Sequence, residues 1–152
     1  MEEWPFAGGS PVAYAESLAR AKAEAVPASD GEVLLAADTV VVLDGSVLGK
    51  PGSPEEAAEM LRGLSGRRHE VITAVAVRRG GTLRCGHDRA VVTFRSLGPD
   101  EIAAYVASGE PLDKAGAYAI QGGAAAFVER LEGYRDTVVG LPVELVRKLV
   151  GS

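Results

Sequence analysis

The sequence predicts a mixed α/β (α+β) fold, and three observations carry that reading. Apolar, β-branched runs of strand length, at residues 33–43, 71–77 and 82–96, alternate with segments of helical period. Two-residue turn signals, Asp44-Gly45 and Gly80-Gly81, lie between neighbouring runs. Serine–proline pairs at Ser10-Pro11 and Ser53-Pro54 supply an N-cap followed by proline in the first helical turn. With 152 residues, no repeat and no linker-like stretch, one domain with a full core is expected.

Taken in order, residues 1–10 are turn-rich and irregular. Val12, Tyr14, Ala15, Leu18, Ala21, Ala25 and Val26 then recur at helical spacing, predicting a helix over 11–26 that Pro27 and the Ser29-Asp30-Gly31 cluster end. Lys22 on this helix is either a snorkelling surface lysine or one aimed across the edge of the next strand at an anion. That strand is interrupted by Asp38 and Thr39. A carboxylate inside a buried strand is costly unless a cation, a metal or hydrogen bonds compensate it; the plainer reading is an Asp that ends a strand and caps a turn. After Asp44-Gly45, a short return strand over 46–49 delivers Lys50, fixed by Pro51. Ser53 with Glu56 reads as a capping box opening a helix over 54–64, which Ser65-Gly66 stops. Val71 to Val77 are apolar on both faces, the mark of a central strand, and a return strand or pair of strands follows over 82–96. A helix is expected over 99–108 with Ile102, Tyr105 and Val106 inward. Residues 112–126 are so rich in Gly and Ala that their backbone is expected to lie close to packed backbone or a ligand. A short strand over 127–131, a loop over 133–137 and a helix from Pro142 to about Val150 complete the chain.

Composition narrows the function classes. Hydrophobic residues at 47% and charged residues at 24% are ordinary for a globular chain. A net charge of −5 argues against a nucleic-acid surface, although a few local lysines suffice for a nucleotide. The single Cys85 excludes an internal disulfide and a Cys-rich zinc site, and a half-buried strand position is expected for it. His69 and His87 are isolated, without ligand spacing, and read as surface or strand-edge histidines. No run approaches the ~20 apolar residues of a membrane span. Met1-Glu2-Glu3 lacks the basic start of a secretory leader, so a cytoplasmic location is expected.

There is no Walker P-loop, no Rossmann glycine fingerprint, no GxSxG elbow and no HExxH. The usable polar residues are Glu3, Lys22, Asp38, Thr39, Lys50, Asp113, Lys114 and Gln121. Acids suit a hard divalent ion and lysines suit phosphate charge. Together they fit metal-assisted attack of water on a polyphosphate.

The segments AADTVVVLDGSVLGKP and EEAAEMLRGLSGRRHEVITAVAV resemble the Maf family of nucleoside triphosphate pyrophosphatases. So do LARAKAEAV, FRSL, EIAAYVASGEPLDKAGAYAIQGG, FVERLEG and VVGLP, so the resemblance spans essentially the whole chain. It implies hydrolysis between the α and β phosphates to a monophosphate and pyrophosphate. The fold it implies is like that of the inosine triphosphate pyrophosphatases: a long central mixed sheet flanked by helices, with a nucleotide cleft. Asp38 matches the family's proton acceptor, also close to a divalent metal (Mg2+ or Mn2+), and Thr39 a position tied to substrate choice. Lys22 and Lys50 match phosphate-contacting lysines, Gln121 a glutamine that helps choose the base, and Glu3 an acid at the metal. The segment around Asp113 and Lys114 resembles the branch acting on dTTP and UTP, and a homodimer is implied.

Two departures stand out. The family begins with a strand and a Ser-x-Ser-Pro-Arg-Arg motif that contacts the triphosphate, and no such motif occurs here. Without it the 152 residues are expected to be weakly active and prone to associate, with an extended form gaining activity. Arg135-Asp136-Thr137 stands where the family more often has Asn before VVGLP. Two rival readings remain: a non-catalytic nucleotide-binding or interaction module, and a phosphohydrolase that releases orthophosphate from the terminal position.

Overall fold

The structure is a computed structural model and describes residues 10–27, 31–120 and 122–151. The element order is α1 (Pro11–Ala25), β1 (Val33–Leu43), β2 (Ser46–Leu48), α2 (Pro54–Leu64), β3 (Arg68–Arg79), β4 (Thr82–Phe94) and α3 (Pro99–Ala107). Three 3-10 turns, Glu110–Asp113, Ala115–Ala117 and Gly123–Phe127, lead into β5 (Val128–Glu132), α4 (Arg135–Val139) and α5 (Val143–Val150).

The two capped helices begin where their serines place them. Ser10 Oγ accepts from Ala13 N–H at 3.2 Å and Ser53 Oγ from Glu56 N–H at 3.1 Å, each followed by proline in the first turn. Asp44 and Gly45 both carry positive φ, 51° and 79°, the two-residue turn whose twist suits a hairpin. It pairs Leu43 with Ser46.

The strands form one sheet in the order β2-β1-β3-β4-β5. All four pairings are antiparallel, where a mixed sheet was expected. The reason is topological. β1–β2 and β3–β4 are hairpins, and the crossover through α2 carries β3 past β2 to the far side of β1, so no parallel neighbours arise among the described residues.

Strand alternation divides the core between the two faces. On one face α1 packs Ala15, Ala19 and Ala23 against Val40, Val42, Ile72, Ala74 and Ala76. Alanine at these positions lets the helix lie close to the sheet. The opposite face carries Val41, Val71, Val92 and Phe94 beneath Ala57, Leu61 and Leu64 of α2, Ile102 and Tyr105 of α3, and Tyr118 and Phe127 of the 3-10 region. α4 and α5 lie on this second face too: Thr137 sits over Thr73, and Leu145 over Gly86.

Several local expectations change. β3 runs from Arg68, longer than 71–77, and takes His69 into the core at 3% exposure rather than leaving it at a surface or edge. The expected loop over 133–137 gives way from Arg135 to α4, which Gly140 closes in the left-handed region (φ 114°). The Gly- and Ala-rich stretch does press against packed structure. A Cβ on Gly116 would lie 2.8 Å from Val41 Cγ2. His87 is exposed and Cys85 half-buried, as expected. No helix of the described residues is long and apolar enough to cross a membrane.

Candidate active site

β2 pairs with β1 only at Val41, Val42 and Leu43. Beyond Leu48 the chain leaves the sheet, and the carbonyl of Gly49 accepts from Gly116 N–H at 3.1 Å instead. Among the described residues, Val33 to Val40 therefore pair on one side only, with β3. A cleft of about 310 Å³ opens in the space beside Asp38, Thr39 and Val40, within the ~300–1,000 Å³ of small-molecule sites. Lys22 borders it from α1, Lys50 from the segment after β2, Lys114 and Tyr118 from the 3-10 region, and Val138 from α4.

Consecutive strand residues point to opposite faces, so Asp38 and Thr39 answer to different layers. Asp38 is opposite Ala74 and faces α1; Thr39 is opposite Thr73 and faces α4. Both border the cleft because it wraps around the strand edge. Asp38 is 7% exposed. A carboxylate that deep needs a countercharge, and Lys22 Nζ donates to its Oδ1. Lys22 thus pairs with a carboxylate of the adjacent strand itself, so it is not simply a snorkelling surface lysine.

On the α4 side a line of hydroxyls crosses three strands. Thr39 Oγ1 and Thr73 Oγ1 are 2.8 Å apart, Thr73 Oγ1 donates to the carbonyl of Thr137 at 2.7 Å, and Thr137 Oγ1 donates to Asp88 Oδ2 at 2.6 Å. Thr73 and Thr137 are fully buried. Gly140 leaves room above Thr39: a Cβ there would stand 3.3 Å from Thr39 Oγ1.

Tyr118 is held from behind. His69 Nε2 and Tyr118 Oη are 2.6 Å apart, and both rings meet Phe94 edge to face, with centroids 5.0 Å and 4.8 Å away. Burial pushes the His69 imidazole down to about 4 and pushes the Tyr118 phenol up. The pair is neutral at pH 7, a fixed part of the cleft wall rather than an acid–base couple.

The structure thus brings together Lys22, Asp38, Thr39 and Lys50, with Lys114 beside them. Glu3 and Gln121 lie outside the described residues. Sequence reasoning missed His69, Thr73, Asp88, Thr137 and Tyr118. One signal was available for Thr73: it interrupts an apolar strand as Thr39 does, and antiparallel pairing sets the two opposite each other.

Asp38 is the only carboxylate among the described residues lining the cleft, and no cluster of three or more His, Cys, Asp or Glu occurs among them. The described residues thus form no closed protein cage there. It fits magnesium-type binding, in which one or two carboxylates suffice and substrate phosphates and water complete the shell.

Comparison with known proteins agrees with this architecture. The sequence matches the profile of the family described as Maf-like protein over residues 2–152. It is 54% identical over 146 residues to a dTTP/UTP pyrophosphatase of Anaeromyxobacter dehalogenans (strain 2CP-C), covering 93% of this chain and 74% of the relative. It is 55% identical over 143 residues to one from Moorella thermoacetica, covering 92% and 74%. A relative of the same name from Chromobacterium violaceum is 54% identical over 142 residues, covering 90% and 72%. Nearly the full length of the chain is matched, and the chain belongs to the Maf-like protein family.

Proposed function

We propose that this protein is a nucleoside triphosphate pyrophosphatase that cleaves dTTP and UTP between the α and β phosphates, giving the monophosphate and pyrophosphate. The observation that carries the reading is the buried Asp38 at the mouth of a cleft that three lysines border: Lys22, Lys50 and Lys114. The names of the relatives supply the substrate class.

In this reading Asp38 takes the proton from the attacking water. A carboxylate positioned at the reacting centre contributes ~10²–10⁴-fold in such a role. Lys22 holds Asp38 before substrate arrives, and an incoming polyphosphate offers the same ammonium a second anion. Lys50 and Lys114 are exposed at the rim and meet the phosphate charge. Tyr118, Ile120 and Val138 form an apolar wall for the base, and Gln121 chooses among bases through its amide, which both donates and accepts. A divalent ion, Mg2+ or Mn2+, held by Asp38 and Glu3 together with the phosphates, supplies charge neutralisation when bound. A homodimer belongs to the same proposal, supported by the exposed Tyr134, Val139, Leu141 and Val143, of which Val139 borders the cleft. So does a cytoplasmic location, where nucleotides are found.

The test is a panel of nucleoside triphosphates with separate pyrophosphate and orthophosphate assays. Pyrophosphate from dTTP and UTP is expected. Orthophosphate would mark a terminal phosphohydrolase, and binding without either product would mark a non-catalytic nucleotide-binding module.

A further inference from the structure

A hydroxyl can donate one hydrogen bond and accept two, so the direction of each bond in the threonine line can be worked out from its fixed ends. The backbone carbonyl of Thr137 only accepts. Thr73 Oγ1 is 2.7 Å from it and must spend its single proton there. Thr39 Oγ1, 2.8 Å from Thr73 Oγ1, then cannot receive a proton from Thr73 and must give its own. Thr137 in turn donates its hydroxyl to Asp88, which pins α4 so that its carbonyl stays over Thr73. Thr39 is left with lone pairs and no proton to offer.

We infer that Thr73 is a positioning residue that makes Thr39 an obligate hydrogen-bond acceptor at the cleft, so that the substrate group meeting Thr39 is a donor. On the pyrophosphatase reading, on which this inference rests, the donors away from the phosphates are the ring N3–H of a uracil- or thymine-type base and the sugar hydroxyls. An adenine N1 or a cytosine N3, which only accept, would meet Thr39 lone pair to lone pair. The fully buried Thr73 thus biases the choice of nucleotide without touching it. Gly140 contributes by leaving the space above Thr39 Oγ1 unfilled.

The test compares dTTP with two analogues, one methylated at N3 and one lacking the 3′-hydroxyl, in the wild type, Thr39→Val, Thr73→Val and Thr73→Ser. KM and kcat are read by pyrophosphate release. Binding of the uncleavable α,β-methylene forms is read in parallel, so the comparison stands whether or not the bond is cut. One analogue is expected to bind the wild type about three- to tenfold more weakly, the size of one neutral hydrogen bond. Thr39→Val should weaken dTTP by a similar factor while losing that part of the discrimination. Thr73→Val frees the Thr39 proton and should reduce the discrimination, with the effect in KM rather than kcat. Thr73→Ser keeps the hydroxyl and should restore it. Which analogue responds assigns the donor to base or sugar. The inference is overturned if neither penalty changes in Thr39→Val, or if Thr73→Val and Thr73→Ser discriminate alike. Should Thr73→Val not fold, the half-buried Thr39→Val comparison decides alone. Failure of the pyrophosphatase reading itself would show separately, as absence of pyrophosphate from wild-type protein with dTTP.

Discussion

Lys22 of α1 donates to Oδ1 of Asp38 of β1, so the carboxylate at the mouth of the cleft is answered by an ammonium from the neighbouring layer. Asp38→Asn keeps the shape and removes the carboxylate proposed as the base. Activity is expected to fall by ~10²–10⁴-fold with an unchanged circular dichroism spectrum; a variant that keeps most of its rate would remove Asp38 from the mechanism. Lys22→Met leaves the buried carboxylate short of its countercharge. Lys22 is about one-third exposed, so the expected cost is about 1–3 kcal/mol, below the ~3–5 kcal/mol of a fully buried pair. The double variant should be more stable than Lys22→Met alone, as read in a urea melt.

His69 gives a pH signature. Its folded pKa is about 4 against an ordinary value near 6.5, so between those values the unfolded chain binds the additional proton. The stability this group contributes is full above about pH 6.5 and is lost as pH falls toward 4, up to about 3 kcal/mol. His69→Gln removes the titration from that window, and the difference between the two unfolding curves across pH 4 to 6.5 is the measurement. Parallel curves would contradict the assignment.

Gly116 sits at φ 71° with the side chain of Val41 where a Cβ would go. Gly116→Ala should therefore cost ~1–3 kcal/mol through overpacking, with a further ~1–2 kcal/mol from the left-handed backbone. At ~2–4 °C per kcal/mol, the melting temperature drops by several degrees. Because Gly116 N–H holds the Gly49 carbonyl, Lys50 should lose its position too, and KM should rise with kcat less affected.

Gln121→Ala should flatten the preference among bases more than it weakens triphosphate binding. Unpaired polar groups in such a pocket penalise the wrong base, and removing the amide removes that penalty. A wild-type preference for purine triphosphates, measured over the same nucleotide panel, would refute the role of Gln121.

Much of this was legible in the sequence where the signal is local. Ser53-Pro54 and Asp44-Gly45 set α2 and the first hairpin within the chain segment itself. Asp38 was conspicuous as an acid in an apolar run, and the family motifs placed Lys22 and Lys50 around it. What was not legible depends on pairing. His69 looks like a polar strand-end residue until β3 extends back to Arg68 and Tyr118 closes over it from a segment 49 positions away. Thr73 looks like one more β-branched strand residue until antiparallel register sets it opposite Thr39. α4 is five residues long and capped by no side chain; it is tied to β4 by the bond from Thr137 to Asp88, a relation that periodicity does not encode.

Asp38 and Thr39 are adjacent in the chain, yet the pleat assigns them to separate layers. The acid is supported by α1 and the hydroxyl by α4, one on each face of the strand. On the roles proposed for Asp38 and Thr39, changes confined to the α4 side redraw which nucleotide is accepted while the half that breaks the bond stays intact. A single dipeptide in this fold lets new substrates be sampled one layer at a time, so specificity can diverge among descendants of one gene without passing through an inactive ancestor.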